Sequence, residues 1–148
     1  MTRDDVTSAI LLARRRKGLT FAQIAQVLGQ SKEWVTAGLM GQMTFDAKQA
    51  STLGELLGLG EEAVQMLQEV PYKGSLPSTV PTDPLIYRFY ELVSVYGTTL
   101  KALIHEEFGD GIMSAIDFTL DMEKVTGSQG EARCKITLNG KWLEYKTF

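Results

Sequence analysis

PLIYRFYELVSVYGTTLKALIHEEFGDG, residues 84–111, decides the fold. At helical period, Leu85, Ile86, Phe89, Tyr90, Leu92, Val93, Tyr96, Leu100, Leu103 and Ile104 cover nearly half of one circumference. Asp83 reads as the N-cap, and Pro84 suits the first turn, where a backbone N–H would go unpaired anyway. The helix is expected to reach Phe108, in one piece or two, and to stop at Gly109-Asp110-Gly111. So apolar a helix needs cover on more than one side. The segment that follows is too small to supply it alone, so another subunit is the economical source. Arg88 and Glu91 stand at one edge of the apolar arc, about 4.5 Å apart along the axis. By spacing alone they read as a surface ion pair worth a few tenths of a kcal/mol. Burial between subunits would carry a desolvation cost of several kcal/mol and call for a functional reason, such as a site for a small charged substrate.

Beyond the helix the period changes from helical to alternating. Ile116, Phe118, Leu120 and Met122 alternate with polar residues, and so do Ala132, Cys134, Ile136 and Leu138. Asn139-Gly140 is the pair favoured in type I′ hairpin turns, which predicts a further strand over Lys141–Tyr145. The second half is therefore one long helix plus a small antiparallel sheet. Between them lies FGDGIMSAIDF, residues 108–118. Its glycines allow a ligand to approach backbone N–H groups, and the Ser114 hydroxyl can either donate to an anion or cap a turn. His105, near the helix C-terminus, reads as structural rather than as a general base. Cys134 is expected in the core, and Trp34 and Trp142 in packing.

Upstream, PYKGSLPSTVPTDP, residues 71–84, holds all four prolines and reads as a linker. It places a boundary near residue 80, with a helical domain over 1–78 and an α+β domain over 79–148. The first domain reads as about five helices. They span Asp5–Arg16, the stretch FAQIAQVLG capped by Thr20, the stretch KEWVTAGLMG capped by Ser31, Asp46–Leu57 and Glu61–Glu69. Gln23, three residues after Thr20, completes a capping-box pattern. Residues 20–41 have helix-turn-helix spacing and resemble repressor-like DNA-binding domains. The chemistry for reading bases is thin, because the second helix offers Lys32 but then Glu33, Trp34, Thr36, Ala37 and Met40. Eight basic side chains balance eight carboxylates over residues 1–78, and the run Arg14-Arg15-Arg16-Lys17 suits the negative end of a helix dipole.

Composition narrows the choice. The chain of 148 residues is 44% hydrophobic and 22% charged, the balance of a soluble globular protein. No apolar run reaches the roughly 20 residues needed to span a bilayer, and the N-terminal stretch lacks the pattern of a signal or transit peptide. One cysteine and one histidine give no metal-ligand cluster, and a lone Cys134 fits a reducing cytoplasm. A net charge of −3 argues against broad nucleic-acid binding and requires local donors for any anionic substrate.

DPLIYRFYELVSVYGTTLKALIHEEFGDGIMSAIDF, residues 83–118, with KITLNGKWL after it, resembles the cyanase (cyanate hydratase, cyanate lyase) family. The likeness extends over essentially the whole chain, because that family also joins a helix-turn-helix-like bundle to a small α+β dimerisation domain. It implies decomposition of cyanate with bicarbonate as co-substrate, giving carbon dioxide and carbamate, which decays to ammonia and carbon dioxide. It implies no metal or organic cofactor, no nucleic-acid partner, and a homodecamer of five dimers with active sites where dimers meet. Arg88, Glu91 and Ser114 match the family's catalytic arginine, glutamate and serine. On this reading Arg88 neutralises the anions, Ser114 and nearby N–H groups hold substrate oxygens, and Glu91 orients Arg88. Glu91 would also assist proton movement if burial raised its pKa. Two other readings compete: a DNA-binding regulator built on residues 20–41, and a scaffold in which the apolar helix serves assembly alone.

Overall fold

Local capping chemistry sets the helices of the first half. The Thr2 hydroxyl accepts from the backbone N–H of Asp5, while the Asp5 carboxylate accepts from that of Thr2. This reciprocal pair starts α1 (Arg3–Arg16), two residues earlier than the periodicity predicts. The same device opens α2 (Phe21–Leu28), through Thr20 and Gln23, and α4 (Ala47–Leu57), through Asp46 and Gln49. Ser31 caps α3 (Lys32–Leu39), and α5 (Glu61–Met66) ends three residues short of its sequence expectation.

The computed structural model describes residues 1–148 and divides into two units, Met1–Ser75 and Leu76–Phe148. In the first unit the five helices enclose one apolar core of Val6, Ile10, Ile24, Val35, Leu39, Phe45, Leu53 and Leu67. Trp34 places its ring edge-on to Phe45 at 5.4 Å, in the packing role expected of it. Arg3 ties three segments together by donating to the carbonyls of Gly38, Met43 and Met66 at 2.9, 3.2 and 3.3 Å.

The second unit is built differently. Asp83 accepts from the N–H groups of Leu85 and Ile86, and α6 runs unbroken over Pro84–Phe108. It is followed by a two-stranded antiparallel ribbon, β1 (Gly111–Thr126) and β2 (Ala132–Glu144). The alternation seen in the sequence is brought into register here. Phe118, Leu120, Met122 and Lys124 pair with Gly140, Leu138, Ile136 and Cys134, so the apolar residues of both strands share one face.

Two expectations fail in the ribbon. Asn139-Gly140 is not a turn but lies inside β2. The chain reverses at Gly127-Ser128-Gln129-Gly130, where the Gly127 N–H donates to the Glu131 carbonyl at 2.8 Å and Gly130 has a φ of 80°. A type I′ turn needs positive φ at both central residues, and neither Asn139 nor Gly140 has it. The predicted third strand is thus the continuation of the second. Cys134 is exposed rather than in a core, because nothing in this unit covers the apolar face of the ribbon.

That exposure is general in the second unit. No residue of α6 is buried, and the whole buried apolar cluster belongs to the first unit. No helix is long and apolar enough to cross a membrane. The contrast yields a stability prediction. Phe45→Ala is expected to destabilise the first unit by about 3–5 kcal/mol, read as a lower denaturant midpoint with a change in Trp34 emission. An unchanged midpoint would place the core elsewhere.

Candidate active site

The Arg88–Glu91 pair follows directly from helix geometry. Once Asp83 fixes the first turn, residues three apart meet on one surface of α6. Arg88 Nη1 donates to Glu91 Oε1 at 2.6 Å, with the two side chains 67% and 44% exposed. A guanidinium has five N–H donors, and Glu91 is the one hydrogen-bond partner Arg88 has within the chain. The others remain available to an anion. A pair this exposed adds little stability by itself, at most about 1 kcal/mol.

Ser114 is positioned by an irregularity in the ribbon. Met113 pairs with Trp142 and Phe118 with Gly140, so the four residues Ser114 to Asp117 stand opposite Lys141 alone. The extra length loops outward and leaves Ile116 97% exposed, yet Ser114 is only 6% exposed. Its Oγ accepts from the backbone N–H groups of Ile116 at 3.1 Å and Asp117 at 2.9 Å. A hydroxyl has two lone pairs and one proton. With both lone pairs engaged, the seryl group can act only as a hydrogen-bond donor, along the remaining tetrahedral direction. Two backbone N–H groups close to Ser114 are thereby used to fix its oxygen, so they are not free for a ligand.

The chain does not bring Ser114 to the charged pair. Arg88 stands about 30 Å along the helix axis from Phe108. The ribbon does not pack along α6; its ring contacts with the helix lie at that C-terminal end, where Trp142 meets Phe108 at 5.0 Å and His105 at 6.0 Å. His105 has a structural place there. Its Nε2 lies 2.9 Å from Lys101 Nζ and its Nδ1 2.7 Å from the Gly109 carbonyl. These contacts tie the ring to the last turn of α6 and to the residue that ends it. Trp142 packs as expected.

The helix-turn-helix unit offers no comparable site. Every residue of α3 is at least partly buried, and Lys32 lies 2.6 Å from Glu33. In the basic run, Arg14 donates to the Leu19 carbonyl and covers the Phe21 ring, while Lys17 donates to the Leu56 carbonyl. No group of three or more His, Cys, Asp or Glu stands together as a metal site.

The sequence singles out Arg88, Glu91 and Ser114 as candidates but gives no sign of how the bulge orients the serine. The one outward sign of the bulge itself is a lapse in alternation between Met113 and Phe118. The Oγ contacts can be tested directly. Ser114→Ala is expected to speed hydrogen exchange at the Ile116 and Asp117 amides by about tenfold, the loss of roughly one hydrogen bond each. Unchanged exchange would remove the serine from the turn.

Comparison with known proteins covers both units. Residues 3–71 match the "Cyanate hydratase, N-terminal" family and residues 78–147 the "Cyanate lyase C-terminal domain" family. The chain is 61% identical over 148 residues to a cyanate hydratase of Dechloromonas aromatica and 60% identical to one of Ralstonia pickettii, in each case over 100% of both chains. The crystal structure of cyanase from T. urticae superposes with a TM-score of 0.81 at 42% identity, covering 94% of this chain and 96% of that one.

Proposed function

The chain belongs to the cyanate hydratase (cyanate lyase) family, and from that premise we propose that it catalyses the bicarbonate-dependent decomposition of cyanate. A regulator built on α2 and α3 is not favoured, since the full-length relatives carry the enzyme's name and Lys32 is the one side chain suited to base reading on α3. The reaction joins two monoanions. A bicarbonate oxygen attacks the cyanate carbon to give a dianionic adduct. The bicarbonate proton moves to nitrogen, a second proton is taken up from water, and the adduct splits into carbon dioxide and carbamate. The carbamate then takes up one more proton and falls apart to ammonia and a second carbon dioxide. Every carbon and oxygen comes from the two substrates, and the protein supplies position and charge compensation. No cofactor is required by this chemistry.

The side chains divide the work by type. Arg88, held in place by Glu91, offers its remaining N–H donors to the substrate oxygens. Ser114 donates its fixed hydroxyl to developing negative charge. Glu91 compensates the guanidinium and keeps it oriented. The observation that carries this reading is the Ser114 hydroxyl, nearly buried and saturated as an acceptor. In that state it binds anions and does not compete as a base.

The site is proposed to form between chains. Arg88 and Ser114 sit at separate places in one chain, and α6 with the ribbon exposes Leu85, Phe89, Leu92, Val93, Leu138 and Leu143. An apolar surface of that extent marks an assembly face, and a homodecamer of five dimers would double each donor at an interface. The unpaired Cys134 fits a cytoplasmic setting.

Ammonia release from cyanate, measured with and without bicarbonate, tests the activity. Release that ignores bicarbonate, or none at all, would overturn it. Arg88→Lys is expected to lower turnover about 10²-fold or more while light scattering reports wild-type assembly. Ser114→Ala is expected to fall in the same range. Full turnover in either variant would exclude that residue from the site.

A further inference from the structure

We infer that Gly140 is the positioning residue for the Ser114 oxygen, an inference that rests on the reading of Ser114 as an anion donor. Gly140 lies inside β2, on the apolar face and opposite Phe118. Glycine in a strand interior weakens the strand, and its presence marks a bulge or a close approach of backbone. Conformational freedom does not explain it, since Gly140 is not among the positive-φ glycines. Close approach does. A Cβ at this position would lie 2.3 Å from the carbonyl oxygen of Ser114 and 2.5 Å from Met113 Cγ.

The two neighbours differ in kind. The Met113 side chain can swing aside, because it has three soft torsions. The Ser114 carbonyl is backbone at the first residue of the bulge, and it can move only with the residue that bears the hydroxyl. Relieving that overlap to an ordinary separation means displacing Ser114 by about 1 Å. The same movement would disturb the Oγ contacts with the Ile116 and Asp117 N–H groups. Thus β2 acts as a stop against which the bulge rests, and the missing side chain at 140 sets where the seryl oxygen stands. Gly140 touches no substrate in this account and acts wholly through Ser114.

The experiment uses the full-length, assembled protein. Gly140→Ala is expected to assemble as wild type and to lose about 10- to 100-fold in kcat/KM for cyanate. Azide, a linear triatomic monoanion isoelectronic with cyanate, serves as a binding probe by calorimetry. Its affinity is expected to fall in Gly140→Ala and in Ser114→Ala, with the double variant no more than about twofold worse than Ser114→Ala alone. Met113→Ala/Gly140→Ala should stay impaired. The inference is overturned if that double variant regains wild-type kinetics, because the obstacle is then only the methionine. It is equally overturned if the effects of Gly140→Ala and Ser114→Ala on azide multiply, if Gly140→Ala is fully active while Ser114→Ala is not, or if Gly140→Ala fails to assemble, which makes the glycine a requirement of the fold. Full activity in Ser114→Ala would instead defeat the underlying reading of the site.

Discussion

The removal of apolar surface from water is satisfied in one half of this chain and left open in the other. The first unit closes a core around Phe45, Leu53 and Leu67 with five short helices. The second exposes a 25-residue helix with no buried residue and a ribbon of two strands. A two-stranded ribbon is marginal alone in water, and an isolated helix gains most of its stability from packing. The sequence of the second unit makes sense as one side of a larger apolar contact. The proposed chemistry depends on the same contact, because one chain holds the guanidinium and the hydroxyl far apart.

Within that frame the proposed site is assembled from ordinary parts. A helix turn places Arg88 beside Glu91, and their ion pair is too exposed to be explained by stability. A bulge turns Ser114 inward and occupies both of its lone pairs. Fixed donors of this kind need little reorganisation as negative charge develops, and that is where an enclosed site gains over bulk water. The reaction proposed here demands little more than that, since it joins two small anions and discharges a neutral gas.

The N-terminal unit illustrates how shape and chemistry separate. Residues 20–41 have the spacing of a DNA-binding motif, and α2 and α3 form as that spacing predicts. Of the side chains suited to reading bases α3 carries Lys32 alone, 2.6 Å from Glu33, and two of the basic residues nearby are engaged with the unit's own carbonyls. The fold of a motif follows from its apolar spacing, whereas its function follows from what projects outward.

What the residues alone determined were features settled within a few positions of the chain. The caps at Thr20, Ser31 and Asp83, the end of α6 at Gly109, and the Arg88–Glu91 pair all arise from contacts two to four residues apart. The strand alternation was legible for the same reason. The tertiary structure decided the place of reversal, the bulge at Ser114 to Asp117 and the exposure of Cys134. Asn139-Gly140 carries a strong local preference for a turn, but cross-strand register overrode it. Pairing Phe118 with Gly140 keeps the apolar faces of both strands together, and only a residue without a Cβ leaves room there for the Ser114 carbonyl. Such a demand is set by a partner strand more than twenty residues away, so no reading of neighbouring residues could reveal it.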